Sequence, residues 1–444
     1  MAADRLSRMV NMTMKRSLAL ILSPLLALGL AAQASKPQAP QGPQEVVLQA
    51  SSGAKLVLGL PSATVQGGDP ASVDRDFSQV LRSDLEHSGV FSLAKGTLPA
   101  TGDAATWPGW RDAGCDWIAP MRLTVDQENF LDLQVVDAKA GKAIFSKRFQ
   151  GRVPLRQVAH AAADQLVAWL TGVSGTASTH FIFVKQVAPG VKELYRMDRD
   201  GAGIVELTRY GSLTLSPTVA PDGRIAFVTY KGGSPQIWGQ RAVGGAFERL
   251  YPAASESVGL CNSPCFSPDG KHIAFVQGDR RGNCDIMVLD MQTGRVRRLT
   301  DGFGINTEPT WNPSGTQLAF TSDREGGPQV YLMQDDGTNI RRLTSEGAYN
   351  ATPAWSPKGD MVAYVSRFEG RFDLFVYKLG EGKAYQITTG VGTSESPSWS
   401  PDGRNLVFSS NRSGAMQLYS TSLDGRQVDR VSPLAPVQSP RWVQ

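Results

Sequence analysis

The sequence predicts a small α/β domain followed by an all-β six-bladed β-propeller, closed by a strand from the C-terminus. Three observations carry this. Six prolines, Pro217, Pro264, Pro309, Pro353, Pro397 and Pro440, recur at intervals of 47, 45, 44, 44 and 43 residues. Each is followed two residues on by a large or apolar side chain: Val219, Phe266, Trp311, Trp355, Trp399 and Trp442. The last copy stops two residues after Trp442, whereas the first strands of the array lack such a copy before them. Repeats of this length mark stacked or radial arrays, and four strands in about 44 residues is the size of a propeller blade.

The unit reads most clearly at Ser396-Pro397-Ser398-Trp399-Ser400, a short strand expected to start at its proline, where no ladder donor is missed. Pro401-Asp402-Gly403 then turns the chain, as do Pro221-Asp222-Gly223, Pro268-Asp269-Gly270, Pro313-Ser314-Gly315 and Pro357-Lys358-Gly359. Apolar second strands follow, such as Ile273-Ala274-Phe275-Val276. Third strands include Gln329-Val330-Tyr331-Leu332-Met333, and fourth strands end on a Leu-Thr-like pair, as in Leu299-Thr300 and Leu343-Thr344. Phe181 to Val184 reads as a second strand with no first strand before it, so the C-terminal Ser439 to Trp442 supplies the missing one. Aromatic residues at a fixed repeat position pack between sheets, so the tryptophans are expected in the core and not as a sugar-stacking platform.

The N-terminal part has a different character. Residues 1–34 read as a signal peptide: Lys15-Arg16 precede an apolar run from Leu18 to Ala31, and cleavage is expected after Ala34. Translation from Met14 in place of Met1 would still provide these elements. The run is too short for a spanning helix, so export to the periplasm without membrane insertion is expected. Residues 35–44 are a Pro/Gln-rich lead, residues 45–175 an α/β domain, and residues 179–444 the propeller. In the α/β domain, Leu56 to Leu60, Val90 to Leu93, Trp117 to Met121, Phe130 to Val136 and Ala143 to Phe149 read as strands. Ser72 is expected to cap one helix, and Arg156 to Leu170 to form another.

Charge excludes some functions. The leader holds four of the 45 basic side chains and one of the 41 acidic ones, so the remainder is nearly neutral. Neither nucleic acid nor an anionic membrane surface is implied. The four histidines are scattered, the four cysteines fit no zinc spacing, and no cofactor is expected. In an exported chain Cys261 and Cys284, on one rim of one blade, form a candidate disulfide; the alternative is four buried thiols. Asp198-Arg199-Asp200-Gly201 loosely resembles a calcium loop but reads as a β-turn.

With its order of parts, its Ser-Pro-Asp-Gly turns, Ser83 to Phe91, and Asn306-Thr307-Glu308-Pro309-Thr310-Trp311, the chain resembles the TolB family, periplasmic components of the Tol–Pal system. The resemblance runs from about Glu45 to the end. It implies a non-enzymatic monomer that binds the peptidoglycan-associated lipoprotein Pal at the propeller mouth and TolA through an N-terminal segment, here Glu45 to Ser52. It also implies support of outer-membrane integrity and cell division. Carried onto this sequence, the Pal-binding positions are Leu260, Asn262, Ser263, Asn306, Thr307 and Glu308. Ring position adds Asn350, Thr352, Glu395 and Ser396. One departure falls on this rim: Pro264 comes thirteen residues after Tyr251, where four of the junctions use nine. The rival class is an exported propeller hydrolase, or a lactonase-like enzyme with a metal in the channel. The hydrolase would need a Gly-x-Ser-x-Gly elbow, and none occurs.

Overall fold

The computed structural model describes residues 56–253, 258–279, 281–302 and 304–444. The leader, the Pro/Gln-rich lead and Glu45 to Ser52 lie outside these residues.

Seven short strands form one mixed sheet in the first domain. Leu56–Gly59 runs parallel to both Phe91–Leu93 and Trp117–Ile118. Asn129–Asp137 pairs antiparallel with Met121–Thr124 and with Lys142–Gly151. The expected strand from Trp117 to Met121 is two strands, because Pro120 interrupts the ladder between Ile118 and Met121. Strand Thr64–Gln66 and helix Trp107–Asp112 had no periodic signal in the sequence. Helices Gln79–His87 and Leu155–Thr171 bury Leu81, Leu85, Ala162 and Leu166 against Leu131 and Leu133 of the sheet. The first helical turn is capped by Asp69, not Ser72. The Asp69 carboxylate accepts the Ser72 N–H at 2.9 Å, with Pro70 pre-set at the helix start.

Six four-stranded sheets follow, each ordered by sequence except the first. Blade 1 comprises Val205–Glu206, Val191–Asp198, His180–Ala188 and, from the chain end, Val437–Val443. Trp442 sits opposite Phe181 in this closing pair, and its Nε1 donates to Thr179 Oγ1 at 2.7 Å. Blades 2 to 6 begin with Thr214–Val219, Leu260–Phe266, Asn306–Trp311, Asn350–Trp355 and Ser394–Trp399. Phe266, Trp311, Trp355, Trp399 and Trp442 are all buried. The Leu-Thr pair has a specific use. In blades 1, 3, 4 and 5 the threonine hydroxyl accepts a third-strand N–H and donates to the polar side chain of the residue just before that N–H, Glu193, Asp285, Gln329 or Asp373. Thr300, for example, accepts from Ile286 N at 2.9 Å and donates to Asp285 at 2.8 Å. Each otherwise orphaned group thereby gains a partner.

First and third strands of a blade run in the same direction. The turns after them therefore share one rim, and the second-to-third loops share the other with the starts of the first strands. The N-terminal domain docks on the turn rim. Arg199 donates to the His87 carbonyl at 2.8 Å, and Arg156 pairs with Asp200. His160, buried in helix Leu155–Thr171, lies 2.7 Å from Asp84 and 3.5 Å from Asp200. Asp164 holds the linker by accepting the N–H groups of Ala177 (2.6 Å) and Ser178 (2.9 Å). The turn Asp198 to Gly201 is thus engaged by Arg156 and His160 of the other domain.

Candidate propeller mouth

The six prolines do not start their strands. They lie inside them, at a bulge where the register of each first strand shifts, for example between Thr307 and Thr310 or between Glu395 and Ser398. Proline fits there because the bulge leaves its missing N–H unneeded. The residue before each proline is left-handed: Ser216 (φ 50), Ser263 (49), Glu308 (55), Thr352 (50), Ser396 (55) and Ser439 (52). None is glycine, and each such conformation costs roughly 1–2 kcal/mol. Six equivalent outliers around one channel are a constructed feature.

The bulge sorts the side chains of each first strand by position. Three residues before the proline stand Thr214, Cys261, Asn306, Asn350, Ser394 and Val437, every one buried. Asn306 accepts from Ser322 Oγ (2.9 Å) and Arg324 Nη2 (2.7 Å) and donates to the Cys284 carbonyl at 3.0 Å. Asn350 donates to Gln329 (2.8 Å) and to the Glu346 carbonyl (2.7 Å). Asn306 and Asn350, expected on the docking face, are instead internal pins that tie the rim loops to their blades.

Cys261 occupies the same buried position and explains the fate of the candidate disulfide. All four cysteines are free thiols. Leu260, Gly278 and Cys284 stand in register, as do Cys261, Gln277 and Asp285. Residues in register share a face, so Cys261 and Cys284 point from opposite faces of the sheet, two strand spacings or roughly 9.5 Å apart. That exceeds the ~7 Å Cα limit for a bridge. Cys261 donates instead to the Pro235 carbonyl at 3.0 Å, and burial pushes its thiol up to about 12.

Four residues before each proline lie Leu213, Leu260, Ile305, Tyr349, Thr393 and Pro436, all at least partly exposed. They form a largely apolar collar around the mouth. Val391, 80% exposed, stands beside it. Sequence reasoning found only Leu260 of this collar. The signal was present, since the position repeats with the prolines, but it emerges only when the strands are aligned on the bulge. Thr307 and Glu395, two before their prolines, are partly exposed just inside the collar. Asn262 is partly spent on local bonds, accepting from Ser263 N at 2.7 Å and Ser216 Oγ at 3.2 Å.

Deeper in, the left-handed residues form a ring. Glu308 Oε2 accepts from Thr321 Oγ1 and from the Thr352 N–H, both at 2.8 Å, so it bridges blades 4 and 5. Burial pushes its carboxyl up, while those two donors and Arg441 pull it down. Below the prolines a second ring comprises Thr218, Cys265, Thr310, Ala354, Ser398 and Arg441. Its hydroxyls stitch neighbouring blades: Thr218 accepts Phe266 N at 3.2 Å, and Ser398 accepts Trp442 N at 3.0 Å. Burial lowers the pKa of Arg441, with Cys265 and Glu308 opposing that shift. Among the described residues no group of three or more His, Cys, Asp or Glu side chains is placed to hold a metal ion.

A family profile described as TolB beta propeller domain matches residues 167–442. The Tol-Pal system protein TolB of Anaeromyxobacter dehalogenans is 35% identical over 307 residues, which cover 66% of this chain and 68% of that protein. A protein TolB homolog of Chlorobium chlorochromatii is 30% identical over 319 residues, covering 68% of each. The crystal structure of TolB from Acinetobacter baumannii superposes with a TM-score of 0.75 at 27% identity, covering 88% of this chain and 96% of that one.

Proposed function

The chain belongs to the TolB family, and from that premise we propose that it is a non-enzymatic periplasmic scaffold of a Tol–Pal system. A Pal-like outer-membrane lipoprotein docks at the propeller mouth, and a TolA-like inner-membrane protein engages Glu45 to Ser52. The observation that carries this reading is the apolar collar on the rim left free by the N-terminal domain. An exposed apolar ring edged with polar groups is the composition of a protein-docking surface. Ile305 (37% exposed) and Val391 are its most accessible anchors. Thr307, Glu395, Ser263 and Ser396 supply the polar contacts inside it. Leu260 joins the collar beside the long junction from Tyr251.

The test is recovery of the lipoprotein by the mature protein. Ile305→Asp and Thr307→Arg should each cut recovery at least about tenfold, since central interface positions carry ~2 kcal/mol or more. Val243→Asp, an exposed change outside the collar (66% exposed), should not. Undiminished recovery with both collar variants would remove the assigned face.

A further inference from the structure

The channel below the mouth is a cavity of about 940 Å3. Five of the six side chains in its lower ring are small, which keeps it open. The sixth, Arg441, comes from the closing strand of blade 1, and its charge is felt by Cys265 on blade 3 and Glu308 on blade 4. Blade 4 stands across the ring from blade 1. Among the described residues the guanidinium makes one hydrogen bond, Nη1 to its own Pro440 carbonyl at 3.0 Å. Among the described residues no carboxylate lies within 4.0 Å of it. Among the described residues Glu308 spends Oε2 on both of its bonds, and Oε1 has no hydrogen-bond partner. Beside it Thr352 Oγ1 is buried with no partner. A cation and a carboxylate that line one channel without touching keep a desolvation cost that their attraction only partly offsets.

We propose that this channel is a binding site for a small zwitterion, a free α-amino acid or a very short peptide. The ligand carboxylate lies on the Arg441 guanidinium, and its ammonium donates to Glu308 Oε1. A purely anionic ligand would confront Glu308, and a purely cationic one would confront Arg441. A ligand carrying both charges satisfies both walls. The inference stands apart from lipoprotein docking, which uses the collar above.

Calorimetric titration and thermal melting of the mature chain with L-alanine, acetate and methylamine test it without any variant. Alanine should raise the melting temperature with concentration and bind at least about tenfold more tightly than either half-molecule, one further charge contact being worth 1.4 kcal/mol or more. Arg441→Met keeps the apolar stem and should weaken alanine at least about tenfold while lipoprotein recovery stays intact. No binding by any probe, acetate binding as well as alanine, or full alanine affinity in a folded Arg441→Met protein would each overturn the site. Should that variant not fold, the comparison of the three probes on the unaltered chain still decides. Lost lipoprotein recovery with alanine binding retained would count against the collar and not the channel.

Discussion

The turn rim and the open rim of the propeller are made by the same repeat, yet the domain contact on one and the mouth of the other are built from different side chains. On the turn rim the N-terminal domain contact is made of polar and ionisable groups: His160 lies between Asp84 and Asp200, Arg156 pairs with Asp200, and Asp164 holds the linker. On the open rim the collar at the mouth is largely apolar, while the second-to-third loops around it carry exposed charges such as Lys231, Arg281, Arg324, Glu325 and Glu369. Burial explains the division. A permanent interface can hold ionisable groups where opposite charges are fixed beside one another, as Arg156 is beside Asp200. A surface that a partner covers gains from apolar side chains, because removing them from water is favourable by about 25 cal/mol per Å2.

Several changes would break or sharpen that contrast, beginning with the joint common to both rims. Deleting Ser439 to Gln444 removes most of the strand that pairs with His180–Ala188 and should abolish cooperative unfolding, read by calorimetry. A truncated protein that melts like the intact one would refute the closure as the source of ring stability. Trp442→Ala, which removes a buried ring packed against Phe181 at 5.0 Å, should cost about 3–5 kcal/mol in chemical denaturation.

At the turn rim, Asp84→Ala strands the buried His160 Nδ1 and should cost about 1–3 kcal/mol. It should also speed proteolysis in the linker around Ser174 to Ser178. At the open rim, Ile305→Asp and Thr307→Arg should shift stability by no more than about 0.5 kcal/mol while removing partner recovery. A large stability loss there would erase the distinction between the rims.

The smallest effects lie in the left-handed ring. Ser396→Gly relieves a φ of 55 and should stabilise by up to ~1 kcal/mol. Glu308→Gln reports on burial through pH. Glu308 titrates above its ordinary value of 4.5 in the fold, so its contribution is fully present below the unfolded value and is lost as pH rises through the folded one. The variant should melt like the unaltered protein near pH 4 and gain on it toward pH 8, with a constant difference arguing against a buried acid.

Blade number, strand order and closure were legible in the chain because turn chemistry and apolar runs are local and repeat with the prolines. The same held for the buried tryptophans. The α/β domain was read less fully: Thr64–Gln66 and Trp107–Asp112 are too short to carry a period, and Asp69 displaced Ser72 as the cap by sitting one residue before a proline. At the mouth, residue type misled. Asn306 and Asn350 look like surface polar groups, but the strand places them inward, where loop backbones need donors.

Local sequence was enough to set the six-blade ring, since turns, strand propensity and repeat length all act within about 44 residues. What it could not reveal was which way each side chain faces, because the bulge at every proline resets the two-residue alternation. That reset raised an apolar collar to the rim and brought Arg441 of the last strand into the same channel as Glu308, 133 positions earlier. Those are relations between blades, and only closure of the ring creates them.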